Sequence, residues 1–204
     1  MSTTNRNQIL SYGKIDEKEC LTIEQGVTEI GDNAFKGCTE LTKVIIPDSV
    51  TVIGYSAFEG CTGLTKVSIP DSVEHIHSNA FFGCTGLTKI NLPNNLTVID
   101  TYLFYGCTRL KEINIPDSVT KINGFAFYGC TGLTKVTIPA SVTTILNCAF
   151  ADCTGLTEIT IPDSVKKIGD RAFEGCTGLT KVTIPDSVEI GKNVFKGCKG
   201  LTSR

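Results

Sequence analysis

The chain has no tryptophan, one methionine and two histidines in 204 residues, and its 19 basic and 21 acidic side chains nearly cancel. Each shortage excludes something. A net charge of −2 leaves no electrostatic footprint for nucleic acid or for an anionic membrane surface. No apolar run approaches the ~20 residues needed to span a bilayer, so membrane insertion is not expected. The polar start, Met1 to Asn7, lacks the basic, apolar and small segments of a secretory signal. Catalytic chemistry is equally short of material. His75 and His77 are expected on opposite sides of an extended segment, and neither has a nucleophile and an orienting acid at recognisable spacing. Paired carboxylates, a phosphate-cradling glycine loop and a metal motif are also missing. No enzyme activity, cofactor or metal is expected.

What is abundant is glycine, 20 residues, and cysteine, ten. That skew comes from a repeat. Segments beginning at Leu41, Leu64, Leu87, Leu110, Leu133, Leu156 and Leu179 follow one another at 23 residues. Their shared text is close to L-T-K-V-T-I-P-D-S-V-T-K-I-G-x-x-A-F-x-G-C-T-G. A leading unit keeps the frame without the initial leucine, Leu21 matching Val44, and the last unit is one residue short between Val188 and Ile190. The result is eight strand segments.

Within a unit, Val67 and Ile69 alternate with Ser68, the pattern of a strand with one buried face. Pro70 ends that strand because it has no N–H to donate. Val73 and Ile76 return to the core, Ala80 and Phe81 fill a layer, and Gly83 allows the closing turn. One unit cannot bury its apolar side, whereas stacked units can. A 23-residue unit also has no room for a strand plus a full crossover helix. The expected architecture is therefore a β-rich solenoid with little regular helix. At strand spacings of ~4.8 Å its eight coils form a parallel sheet on the order of 35 Å wide. Residues 1–20 are read as a lead-in and partial cap, and 21–204 as the solenoid.

The string L-x-x-V-x-I-P-x-S-V-x-x-I-G-x-x-A-F-x-G-C resembles the BspA-like, or Treponema-type, class of leucine-rich repeats over about residues 21–204. The resemblance implies an α/β-horseshoe-like solenoid with the parallel sheet on its concave side. It also implies a protein-binding surface, often that of a microbial adhesin. The commoner leucine-rich pattern carries an asparagine ladder, and here serine or its neighbour valine stands in that place.

Cys38, Cys61, Cys84, Cys107, Cys130, Cys153, Cys176 and Cys198 share one repeat position. A column of like residues ~4.8 Å apart, pointing the same way, does not meet the converging geometry of a disulfide. These eight are read as buried free thiols, which suit a reducing compartment. Cys20 and Cys148 fall at outward-facing positions.

Departures from the repeat single out two surfaces. The position after the repeat phenylalanine is charged at both ends and aromatic in the middle, at Phe82, Tyr105 and Tyr128; two places before the phenylalanine, Tyr102 and Phe125 do the same. The five are expected to form one contiguous patch for a protein partner or, alternatively, to pack on one another. The outward face of the sheet carries Lys43, Lys66, Lys89, Glu112, Lys135, Glu158 and Lys181 beside a Ser/Asn/Thr column. Alternating charges from Lys89 onward suit cross-strand pairing.

At the N-terminus, Ile9, Leu10, Tyr12 and Ile15 are placed to cover the core edge, while Leu201 and Thr202 begin a ninth strand that Arg204 cuts short. An uncovered edge invites self-association. The reading is a non-catalytic protein-interaction or adhesion module, with a self-assembling building block or a glycan-binding adhesin as alternatives. Free thiols and the absent signal favour the cytoplasm, and the family resemblance favours the cell surface.

Overall fold

In the computed structural model, which describes residues 10–201, the alternation around each repeat valine or isoleucine becomes a short strand. Lys66–Ser68 is typical, with Val67 buried between two exposed neighbours. Lys43–Ile45, Lys89–Asn91, Glu112–Asn114, Lys135–Thr137 and Glu158–Thr160 repeat that pattern. Together with Cys20–Ile23 and Lys181–Thr183 they make a face of eight strands among the described residues. Neighbours run parallel in strict repeat register, Val44 beside Val67 and Val67 beside Ile90. The hydrogen-bonded ladder is interrupted between Lys89–Asn91 and Glu112–Asn114, and again between Lys135–Thr137 and Glu158–Thr160.

A second parallel ladder lies beyond the proline turn. Its strands have two residues each: Glu29–Ile30, Val52–Ile53, His75–Ile76, Val98–Ile99, Lys121–Ile122, Thr144–Ile145, Lys167–Ile168 and Glu189–Ile190. Ile53 pairs with Ile76 and Ile122 with Ile145. Two residues carry too little alternation to be recognised in one chain, and their partners lie in neighbouring coils, the ladder breaking between His75–Ile76 and Val98–Ile99.

The core between the ladders is a set of columns, one residue type per column. Phe35, Phe58, Phe81, Phe104, Phe127, Phe150 and Phe173 are fully buried. Their rings stack at 5.0–5.8 Å and continue to Phe195. Polar columns close the backbone. Ser49, Ser72, Ser118 and Ser141 each donate to a carbonyl of the preceding coil at 2.7–2.8 Å. Serine thus does in this stack what the missing asparagine ladder would do, satisfying backbone groups that the turn leaves unpaired.

The cysteine column is buried and free of disulfides, and Cys20 and Cys148 are half-buried. Thiols from Cys61 to Cys198 each donate to the carbonyl of a phenylalanine in the preceding coil at 3.0–3.2 Å. Burial pushes Cys38 up to about 11 and Cys84 and Cys130 up to about 12. It also raises Cys61, Cys107 and Cys153 far above the ordinary thiol range. Since the thiolate is the nucleophile, these six thiols are inert in the folded chain, whereas the hydrogen bond with Cys176 holds the thiol of Cys198, in the last coil, below its ordinary range. With Ellman's reagent at pH 8, native protein is expected to label only at Cys20 and Cys148, slowly, and at Cys198 in the last coil. All ten cysteines should react in denaturant. Rapid labelling of more than three thiols in native protein contradicts the buried column.

The strand Gly13–Ile15 pairs antiparallel with Cys20–Ile23. Tyr12 sets its ring edge-on to Phe35 at 5.0 Å, and its hydroxyl accepts the Gly31 N–H at 3.2 Å. The first phenylalanine of the row is thereby covered. Leu10, however, is 51% exposed. Ile9 and residues 202–204, where the ninth strand was expected to continue, lie outside the described residues; Leu201 packs partly buried against the core. Among the described residues no helix is long and apolar enough to cross a membrane.

One expectation is corrected. His75 and His77 do not lie on opposite sides of their segment: their rings face each other at 6.3 Å and 17°, and His77 stacks on Tyr55 at 4.5 Å. Residues two apart on a strand share a face, and it is Ile76 between them that points inward, 4% exposed.

Candidate functional site

The five aromatic departures come together. Phe82, Tyr105 and Tyr128 form one rank, their rings nearly parallel at 4.6 and 4.9 Å. Tyr102 and Phe125 form a second at 5.0 Å. Tilted and edge contacts of 5.8–6.4 Å tie the ranks into one sheet of rings. All five are half-buried. They pack on one another, as one of the two readings expects, and remain partly accessible.

The backbone holds this surface rigidly. Tyr102 and Phe125 sit in the left-handed region at φ 57° and 58°, as do Asn33, Asn79 and Asn193 at the same repeat position. Asparagine tolerates that conformation, whereas another side chain gives up about 1–2 kcal/mol there. A stacked aromatic pair returns about 0.5–1.5 kcal/mol, the same order of magnitude. The turn is also hydrogen-bonded from coil to coil: Phe125 N–H to Asn147 O at 3.0 Å, Phe104 N–H to Ala126 O and Gly106 N–H to Tyr128 O at 2.8 Å. Before Phe82, and beyond Ala151 on the other side, the first rank's position carries charge instead. Lys36 pairs with Glu59 at 3.1 Å on one side, and Lys196 with Glu174 at 3.5 Å on the other.

A residue that sequence reasoning passed over lies at the edge of the patch. Asp152 occupies the left-handed place, φ 57°, that belongs to glycine in the neighbouring coils, Gly129 and Gly175. The column of glycines made the exception visible in the sequence. A hydrogen bond to Asp152 is the main cause that pushes the Tyr128 phenol up to about 12, with burial adding to it. Ionised Tyr128 would face a like charge, so the folded chain holds that proton more tightly. The folded value lies above the unfolded one, so this contact's stabilisation is complete below about pH 10 and is lost as the pH rises towards 12. In a spectrophotometric titration, Tyr128 is expected to ionise near 12, and in Asp152→Gly to fall back towards the ordinary tyrosine range. An unchanged Tyr128 titration in that variant contradicts the contact.

The sheet face offers less. Lys43, Lys66, Lys89, Glu112, Lys135, Glu158 and Lys181 are all exposed on adjacent strands. Lys43, Lys66 and Lys89 run in register as like charges. Among the described residues, one ion pair forms on this column, Lys89 to Glu112 at 4.0 Å. An exposed pair of that length contributes little, so alternation of charge does not fasten the strands here. The cleft of this face, about 620 Å³, follows the interrupted ladder and is lined by Ser68, Asn91, Asn94, Asn114 and Thr137 with Lys89 and Glu112. Among the described residues no group of three or more His, Cys, Asp or Glu side chains is placed to hold a metal ion.

Comparison with known proteins agrees with this architecture. The family model described as BspA type leucine rich repeat region, in six copies, matches residues 12–131 and 74–202. A solved leucine-rich-repeat protein of T. pallidum shares 30% identity at a TM-score of 0.72, over 92% of this chain and 79% of that one. A leucine-rich cell surface protein of Faecalibacterium prausnitzii shares 32% identity at a TM-score of 0.60, over 90% of this chain. The pneumococcal vaccine antigen PcpA shares 25% at 0.64, over 89% of this chain. This chain spans 58% and 49% of those two proteins, respectively. No curated protein matches it. A 23-residue unit with its strand, proline turn, phenylalanine layer and cysteine column, matched end to end by the family pattern, places the chain in the BspA-type leucine-rich-repeat family.

Proposed function

We propose that the chain is a non-catalytic protein-interaction module of the adhesion type, and that the double rank of Phe82, Tyr102, Tyr105, Phe125 and Tyr128 is its principal contact surface. One observation carries the reading: five accessible rings cover three successive coils, two of them on a backbone conformation that disfavours them. Aromatic side chains give large contact area at low entropic cost and are enriched at interface centres. The ion-paired coils on either side would form the polar rim. The description of the F. prausnitzii relative as a cell surface protein supports a surface location, and Lys43, Lys66 and Lys89 with the amide-lined cleft are a secondary contact face. Binding of wild-type protein and of a rank-deleted variant to an array of matrix and host-surface proteins tests the proposal. The variant is expected to lose a captured partner that wild type retains; equal capture by both contradicts it.

A further inference from the structure

The first rank stops abruptly. After Tyr128 the same repeat position holds Ala151, 3% exposed, and then Glu174. In the second rank, Phe125 is followed by Cys148 and then Arg171. Both ranks therefore lose a ring in one coil, and a slot of about 470 Å³ opens there. Phe125 and Tyr128 form one wall, Arg171, Glu174 and Lys196 stand opposite, and Ala151, Asp152 and Gly175 line it between them. Lys196 is one coil further than Arg171 and Glu174, which lie two coils beyond Phe125 and Tyr128, ~9.6 Å along the stack. That separation leaves room for one six-membered ring between them.

The chemistry of the lining selects the ring. Asp152 and Glu174 accept hydrogen bonds, and Arg171 and Lys196 donate them. The four charges sum to zero, and Glu174 already bridges Arg171 at 3.4 Å and Lys196 at 3.5 Å. A cation entering the slot would meet Arg171 and Lys196, and an anion would meet the two carboxylates. An uncharged ring whose edge carries groups that both donate and accept meets neither objection. Asp152 departs from the repeat at this place. It keeps a left-handed backbone at φ 57° where other coils use glycine, its carboxylate lies over Gly175, and it holds the edge of Tyr128.

We propose that this slot binds a neutral hexopyranose unit of a glycan, its apolar C–H face against Tyr128 and Phe125 and its hydroxyls on Asp152, Glu174 and Arg171. The slot shares Phe125 and Tyr128 with the contact surface proposed above, whereas Phe82, Tyr102 and Tyr105 do not line it, so substitutions at Phe82 distinguish the two readings.

The test is a ¹⁵N-resolved titration of the chain with methyl glucoside, galactoside and mannoside and with cellobiose, lactose and chitobiose. Glucuronate and a short arginine- and tyrosine-containing peptide serve as competitors. At least one neutral sugar is expected to shift the amides of Ala151, Asp152 and Gly175 in a saturable way. Ala151→Tyr, which continues the rank and fills the slot, should weaken that binding at least tenfold. Asp152→Gly, which restores the residue used in the other coils, should weaken it at least fivefold without lowering the melting temperature. Phe82→Ser should leave it unchanged. The proposal is overturned if no neutral sugar moves those amides, if the peptide or glucuronate moves them and the sugars do not, or if Asp152→Gly binds as wild type does.

Discussion

Phe104→Ala is expected to lower the free energy of unfolding by about 3–5 kcal/mol, as a fully buried phenylalanine does when it is cut to alanine. Phe104 is fully buried, with Phe81 at 5.8 Å on one side and Phe127 at 5.4 Å on the other. Deleting its ring leaves a cavity in the layer and removes two stacked pairs, each of order 0.5–1.5 kcal/mol. In a solenoid the consequence goes beyond the local loss. Stability is close to a sum over neighbouring coils, so a weak link at the centre separates the stack into two shorter arrays. Calorimetry should therefore show a melting temperature lowered by ~10 °C or more and a broadened or split transition. Phe195→Ala provides the contrast. Phe195 is only partly buried and stacks on one described ring, Phe173 at 5.6 Å. Its removal should cost well under half as much and leave a single transition. Equal losses at the two positions contradict coil-by-coil additivity.

The architecture was legible because the repeat states each structural decision eight times. Val67 among its counterparts is unmistakably the buried centre of a strand, and a cysteine every 23 residues reads as a column before it reads as a framework of disulfides. The second ladder was not legible. Val52–Ile53 and its equivalents are too short for alternation, and their pairing depends on coils 23 residues away. The left-handed position was hidden for a different reason. It is held by Asn33, Ser56, Asn79, Tyr102, Phe125, Cys148, Arg171 and Asn193, and only the asparagines among these advertise the conformation.

The candidate surface followed a similar division. Departures from the repeat located all five rings, because their spacing alone places them on neighbouring coils. Sequence could not show that they interlock as two ranks, nor that the alternating charges of the sheet face fail to pair beyond Lys89 and Glu112. Asp152 was available as an exception to the glycine column. Its importance depends on Tyr128 and Gly175, which reach it from the coils on either side. His75 and His77 share a face because the side chains of a strand alternate with a period of two.

The central claim is that the repeat's regular positions hold the stack together while its departures in the middle coils make contact with a partner. The variant Phe82→Ser/Tyr105→Ser/Tyr128→Ser separates those roles, since the rings are half-buried and none belongs to the phenylalanine core. Losing the two stacked pairs of that rank should cost about 1–3 kcal/mol, a few degrees in melting temperature. Wild type and variant should be taken together through the same matrix and host-surface protein array, with thermal unfolding recorded on the same samples. The account predicts at least a hundredfold loss of affinity for the captured partner with the melting temperature lowered by only those few degrees. Retained affinity together with a collapse in melting temperature would contradict it, and would make the ranks a part of the core.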